Sequence, residues 1–461
     1  NILNIINIEN GKTILNLVNF GGWCKSFVLF PDDGKLIMGA GQNLLLVDIQ
    51  NGKILRTFKG HSSVVNSVAL SSDQKYCLSG SVDGSTRIWN IQTGEWTSLM
   101  ANMDGTQWLI YNSSGYWDAS TNGGDFVAMV QGFDVWNIDQ FAVKNNRPDL
   151  IISGLGSSDT TLIEHYNRQY FRRLRKLGIN EADLSNTNDI PKTMLTSIKT
   201  EGSIATVNAL LSDKGSMLKR YNVFVNDVPI FGTLGKEITG NEKAISESIP
   251  LCAGQNKVEV SCINSNGVES YRALTYVNNS ATPSRNLYLL AFGVSNYQNP
   301  QLNLQYAHKD ALDLEKIVQN MKGKGFENVY TKVLTNENVT SESIRASKDF
   351  VKDAKPDDVF ILFIAGHGMH DTDPEATYYY LTSNADIKNL KGTAADFETI
   401  EDLLQGIPPR NKLFLMDACE SGEIDEEDQG QMIAAATGAG IASRGFKTGN
   451  QGISEKAQGI S

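Results

Sequence analysis

Two short apolar runs each stop at a small residue and then present a reactive side chain. The first is Ile361-Leu362-Phe363-Ile364-Ala365-Gly366, followed by His367-Gly368. The second is Leu413-Phe414-Leu415-Met416, followed by Asp417-Ala418-Cys419-Glu420-Ser421-Gly422. A uniformly apolar run of this length fits a strand buried on both faces. Open α/β sheets gather catalytic groups at the carboxyl ends of such strands. Neighbouring strands ending in His367 and Cys419 would set an imidazole beside a thiol, the minimum apparatus of a cysteine hydrolase.

The surroundings support such a sheet. Leu287 to Phe292 and Val329 to Leu334 read as further strands. Leu314, Ile317, Val318 and Met321 follow helical spacing, and a second helix is expected through Ile344 and Val351. A third, through Phe397, Ile400, Leu403 and Leu404, would end at Gly406 and Pro408, and Ile433 to Ala436 would form a last strand. Alternating strands and helices predict a mostly parallel sheet over 283–461. The tail from Lys447 to Ser461 reads as disordered, and the C-terminal part of this domain is expected to be incomplete.

The first 150 residues repeat instead. Asn10-Gly11, Asn51-Gly52 and Thr93-Gly94 mark turns 41 and 42 residues apart. With Gly60-His61, Val47-Asp48 and Trp89-Asn90, this period resembles WD40 repeats, in which each repeat is one propeller blade. About two and a half blades are legible, with a decayed one around Gly115-Tyr116-Trp117 and Val135-Trp136. Because a propeller needs at least about four blades to close, 1–150 is expected to be the tail of a larger one. His61 is expected to pack its blade. Residues 151–187 read as a linker helix capped by Ser158 or Asp159 and stopped by Gly178, with a basic face at Arg168, Arg172, Arg173, Arg175 and Lys176. Residues 188–282 carry short strands and turn signals, as a small β-sandwich would.

Bulk properties narrow the function. A length of 461 residues suggests about three domains. The net charge of −11 argues against direct nucleic-acid binding. No apolar run reaches the ~18 residues of a membrane span, and no signal peptide is visible. Five scattered cysteines, Cys24, Cys77, Cys252, Cys262 and Cys419, suggest a reducing, cytoplasmic setting. Cys252 and Cys262 could pair, but are expected as small core residues.

The chemistry around the two runs is specific. The thiolate is the nucleophile, and a neighbouring His stabilises it and protonates the leaving amine. The oxyanion needs backbone N–H donors. Gly368, with no side chain, and the amide of Cys419 are the candidates. His367 and Cys419 are 52 residues apart, and caspase-type enzymes separate the pair by about 50. On Ala365-Gly366-His367-Gly368 and Asp417-Ala418-Cys419-Glu420-Ser421-Gly422, residues 286–440 resemble the metacaspase and bacterial orthocaspase group of peptidase C14-like proteases. Similar bacterial proteins fuse WD40 repeats to such a domain.

The resemblance implies that His367 and Cys419 are the catalytic dyad and that Asp417 and Asp310 line the S1 pocket. Ala307 stands where the family often has Cys. Two carboxylates would prefer a substrate Arg or Lys by ion pairing. Arg444, Lys447 and Lys456 would then be candidate self-cleavage sites. No cofactor is required. Acidic residues after each dyad member (Asp371, Asp373 and Glu375; Glu423, Asp425, Glu426, Glu427 and Asp428) make Ca²⁺ an optional activator, as in many metacaspases. His370 and His308 are expected to be bystanders or pocket neighbours.

The expected function is a cysteine endopeptidase specific for Arg or Lys. WD40 and sandwich modules that bind a regulatory protein would control it, in the setting of bacterial stress, defence or cell death that the resemblance suggests. The alternatives are a WD40 scaffold with a silent protease domain and another Cys-His protease, gingipain-like or separase-like.

Overall fold

The computed structural model describes residues 2–6, 8–18, 20–131, 133–184, 189–371 and 377–418. They fall into two compact units that divide after Glu181.

In the first unit, Phe27–Leu29, Lys35–Ala40, Asn43–Asp48 and Ile54–Phe58 form a four-stranded antiparallel sheet. The repeated turns share one chemistry. The Gly52 amide donates to the Asp48 carbonyl, and the Gly94 amide donates to that of Asn90. Both glycines have positive φ, +72° and +84°, which a side chain resists. Asp48 accepts from the Gln50 amide, and Asn90 from the amides of Gln92 and Thr93. Asn90 thus does the same turn-capping work as Asp48.

His61 packs its sheet, as expected. Its Nδ1 lies 2.9 Å from Asp83 and its Nε2 lies 2.8 Å from Ser79 Oγ, which also accepts from Trp89 Nε1 at 2.8 Å. Burial holds the imidazole below its usual pKa despite the neighbouring Asp83.

The decayed blade departs from expectation. Trp108–Asn112 and Trp117–Ala119 do not start a separate sheet. They continue the second one into six strands, Val65–Leu70 through Trp117–Ala119. Trp96 supplies the reason, since Tyr111 meets its ring edge-on at 5.6 Å and Arg87 lies 3.9 Å over it. Val135 and Trp136 sit in a separate hairpin, Ala128–Gln131 with Asp134–Asn137. The helix Thr160–Lys176 is capped by Asp159 and followed by Gly178 at φ +65°. It buries Tyr170 and Leu174.

The second unit begins with two antiparallel sheets. Lys192–Glu201, Ile204–Ser212 and Glu242–Pro250 form one. Leu218–Val225, Gly254–Asn264 and Ala273–Asn279 form the other, with the short strands Val228–Pro229 and Lys236–Glu237. Alternation drives them together. Ala205, Val207, Ala209 and Leu211 point into a core shared with Val223, Val225, Val258, Val260 and Cys262. Asn226 and Asp227, both at positive φ, make the two-residue hairpin turn. Cys252 and Cys262 are buried free thiols.

A four-stranded parallel sheet follows, in the order Val329–Thr335, Leu287–Gly293, Val359–Gly366, Asn411–Ala418. The helix Ala307–Gln319 buries Ala311 and Val318 on one face. Ile344 and Ile400, from the helices Ser341–Ala346 and Phe397–Asp402, cover the other. The helix expected to run through Val351 tightens into a 3₁₀ turn at Ser347, whose hydroxyl donates to the Ser343 carbonyl at 2.7 Å and competes with the helical ladder. Ile433 to Ala436 and the tail lie outside the described residues.

The sandwich meets this sheet at the amino ends of its strands. The Ala253 amide donates to Asp357 at 2.9 Å, the Thr233 amide to Gln405 at 2.7 Å, and Arg410 to the Pro250 carbonyl at 3.4 Å. The carboxyl ends lie at the opposite edge of the sheet.

Candidate active site

The strand register sets the site. Val359–Gly366 and Asn411–Ala418 run parallel, pairing Ala365 with Asp417 and Gly366 with Ala418. His367 and Cys419 are the next residue on each chain. Cys419 itself, its amide and the acidic residues of 423–428 lie outside the described residues, as do Asp373 and Glu375.

Gly366 ends its strand at φ +152°. A Cβ there would stand 2.9 Å from the Tyr297 hydroxyl and 3.2 Å from the Tyr380 ring, so only glycine fits. His367, partly exposed, donates its backbone N–H to the Tyr297 hydroxyl at 2.9 Å. Its Nε2 lies 2.9 Å from the Leu302 carbonyl oxygen. A carbonyl only accepts, so Nε2 carries a proton, which in a neutral imidazole puts the lone pair on Nδ1.

Gly368 opens the short strand Gly368–His370, opposite Tyr380. The Leu381 amide donates to the His367 carbonyl, which makes Gly368 and Tyr380 a non-hydrogen-bonded pair. The Gly368 N–H therefore points away from the Tyr378–Tyr380 strand, as an oxyanion donor must.

Asp310 sits in the first turn of Ala307–Gln319, half-buried. Burial pushes its carboxyl above the usual range, and the charge of Asp417 pushes the same way, followed by that of Asp313, while His308 pulls it down. The structure thus brings Asp310 within electrostatic reach of exposed Asp417. His308 does not float free: its Nδ1 lies 2.7 Å from the hydroxyl of fully buried Ser295. Ala307 is buried in the core beneath the sheet. His370 packs edge-on against Tyr378.

Tyr297, Leu302 and Ser295 escape a reading of motifs. They lie 65 to 72 residues before His367, and Leu302 contributes only a backbone carbonyl, which no side-chain pattern reports. Among the described residues, no group of three or more His, Cys, Asp or Glu side chains is placed to hold a metal ion.

Comparison with known proteins agrees with both halves. Residues 288–458 match the caspase domain family, and residues 52–90 match the WD domain, G-beta repeat family. The chain is 36% identical over 75 residues to THO complex subunit 6 of Arabidopsis thaliana, covering 16% of this chain and 20% of that protein. It is 32% identical over 125 residues to the Intraflagellar transport protein 122 homolog of Homo sapiens, covering 27% and 9%. The chain therefore spans no more than a fifth of the length of these two curated relatives. The solved WD40 beta propeller domain of Doa1 aligns at 24% identity with 24% of this chain and 40% of that one, at a TM-score of 0.18. The chain joins a WD40-repeat segment to a C-terminal caspase-like domain.

Proposed function

We propose that this chain is a cysteine endopeptidase that cleaves proteins after Arg or Lys. Cys419 is the nucleophile and His367 its base. The thiol proton passes to Nδ1, and the thiolate attacks the scissile carbonyl. The oxyanion is held by the amides of Gly368 and Cys419. Nδ1 returns the proton to the leaving amine, and water hydrolyses the thioester.

One observation carries the reading. His367 stands at the end of a parallel strand whose neighbour leads into Cys419, with its Nε2 held by the Leu302 carbonyl. The carbonyl also stabilises the imidazolium that forms during the reaction. The Asp310–Asp417 repulsion supports a site awaiting a cation, because a substrate guanidinium would relieve it. The reaction needs no metal, and Ca²⁺ held by the acidic residues that follow His367 and Cys419 in sequence would be an optional activator.

The WD40 segment and the sandwich serve as modules for a regulatory protein partner. The free cysteines suit a cytoplasmic enzyme. A peptidyl-arginine acyloxymethyl ketone tests the reading. Its expected adduct is a thioether on Cys419, found by peptide mass analysis and missing in His367→Ala. If neither this reagent nor its peptidyl-aspartate counterpart labels the protein, the scaffold reading gains.

A further inference from the structure

We infer that Tyr297 is a positioning residue for His367, the anchor of a cradle that the loop 294–304 builds around the imidazole. The inference rests on the protease reading and adds to it a residue outside the dyad and the pocket.

The loop leaves the Leu287–Gly293 strand and is closed by its own polar groups. The Tyr297 amide donates to Asn303 Oδ1 at 2.8 Å, and the Leu304 amide to the Ser295 carbonyl at 2.8 Å. Asn336 Oδ1 accepts from the amides of Ser295 and Asn296 at 2.9 and 3.0 Å. The Gln298 amide donates to the Ser383 carbonyl at 2.8 Å. Held on these sides, the loop presents two oxygens to one residue. The Tyr297 hydroxyl takes the backbone N–H of His367, and the Leu302 carbonyl takes its Nε2 proton.

The two contacts act on different freedoms. The hydroxyl fixes where the His367 backbone leaves its strand, just after the positive-φ Gly366. The carbonyl fixes the ring rotation and the tautomer. The Tyr297 ring adds a third contact, its centroid 5.3 Å from that of His367 at a 40° tilt, where an aromatic face favours an imidazolium over a neutral ring. Tyr297 is buried, and the space that glycine leaves at 366 is filled by its oxygen. Removing that oxygen leaves the His367 N–H without its acceptor and the strand end free to shift. Shifts of about 1 Å in a catalytic group cost on the order of a hundredfold in rate.

Tyr297→Phe deletes the oxygen and keeps the ring. Three readouts apply to the full chain: kcat and KM on an arginyl peptide, the pH profile of iodoacetamide alkylation at Cys419, and ¹⁵N-histidine spectra. The spectra are recorded in the Cys419→Ala background, where only five imidazoles contribute. The expected result is a kcat lower by about tenfold or more with KM within about twofold. The alkylation midpoint moves to higher pH, and the His367 signals move from the Nε2–H tautomer toward a mixture. Asn303→Ala, which opens the loop without touching His367, moves all three the same way, and serves alone if Tyr297→Phe does not fold. Unchanged kcat, alkylation profile and imidazole signals in either folded variant overturn the inference. If wild type and His367→Ala alkylate alike, the dyad reading fails. The imidazole spectra then still judge the cradle: a moved tautomer keeps it, and an unmoved one ends it.

Discussion

Gly366 and Ala418 face each other at the carboxyl ends of two neighbouring parallel strands. Each is the small residue that precedes a member of the proposed dyad, and the pairing puts the two strand ends side by side. Gly366→Ala should therefore damage the site more than the fold. The new methyl would collide with the Tyr297 hydroxyl in a backbone region that costs a non-glycine residue about 1–3 kcal/mol. Thermal unfolding should show a loss of that order, and peptide hydrolysis should fall at least a hundredfold, through misplacement of His367.

Asp310 and Asp417 repel one another, and the proposed substrate cation resolves the repulsion. Asp310→Asn should lower kcat/KM for arginyl substrates by about 10- to 100-fold, the loss of one charge-assisted contact of about 1.5–3 kcal/mol. The same change should leave the melting temperature at pH 7 unchanged or higher. The sign follows from the raised pKa: the folded chain holds the Asp310 proton more tightly than the unfolded chain, so this group contributes stability as pH falls and loses it as pH rises. Melting curves at pH 4 and pH 7 check this, since Asp310→Asn should flatten the difference.

Lys412 is buried in the strand that leads to Cys419, with Nζ donating to the Leu404 carbonyl at 2.8 Å. Burial, helped by Arg410 and Lys348, brings its pKa down to about 7. The unfolded chain then binds more protons between that value and the usual lysine value of about 10.4. This group's contribution should make stability rise with pH across that window. Lys412→Met should remove the rise and stabilise the protein at pH 7 by on the order of 1 kcal/mol, as denaturant titrations at pH 7 and 9.5 would show.

Cys24, Cys77, Cys252 and Cys262 all have thiols raised by burial, Cys77 to about 12. They are poor nucleophiles at neutral pH. Alkylation of the native protein at pH 7 should modify one cysteine rapidly, and peptide mapping should place it at Cys419. Fast modification of any of the other four would contradict the assignment.

The parts of this molecule legible in the sequence are those written in side-chain period. The run Ile361 to Ala365 announced a strand buried on both faces, and Ala205, Val207, Ala209 and Leu211 alternate as one sandwich face. Gly115, Tyr116 and Trp117 suggested a blade of their own. This segment instead extends the preceding sheet because Trp96 and Tyr111 pack across the shared edge, a tertiary preference without a local signal. The clamp on His367 was illegible for a similar reason, since Leu302 acts through its backbone and Tyr297 is distant in sequence. The seat of the sandwich on the sheet was hidden too, because Arg410 reaches a carbonyl, that of Pro250, rather than a carboxylate.

The central claim is tested most directly by hydrolysis of matched peptides with Arg, Lys or Asp at P1, by wild type and Cys419→Ala, in EDTA and in Ca²⁺. The account predicts cleavage after Arg and Lys that persists in EDTA and vanishes in Cys419→Ala. Cleavage after Asp, or arginyl cleavage that survives Cys419→Ala, would contradict it.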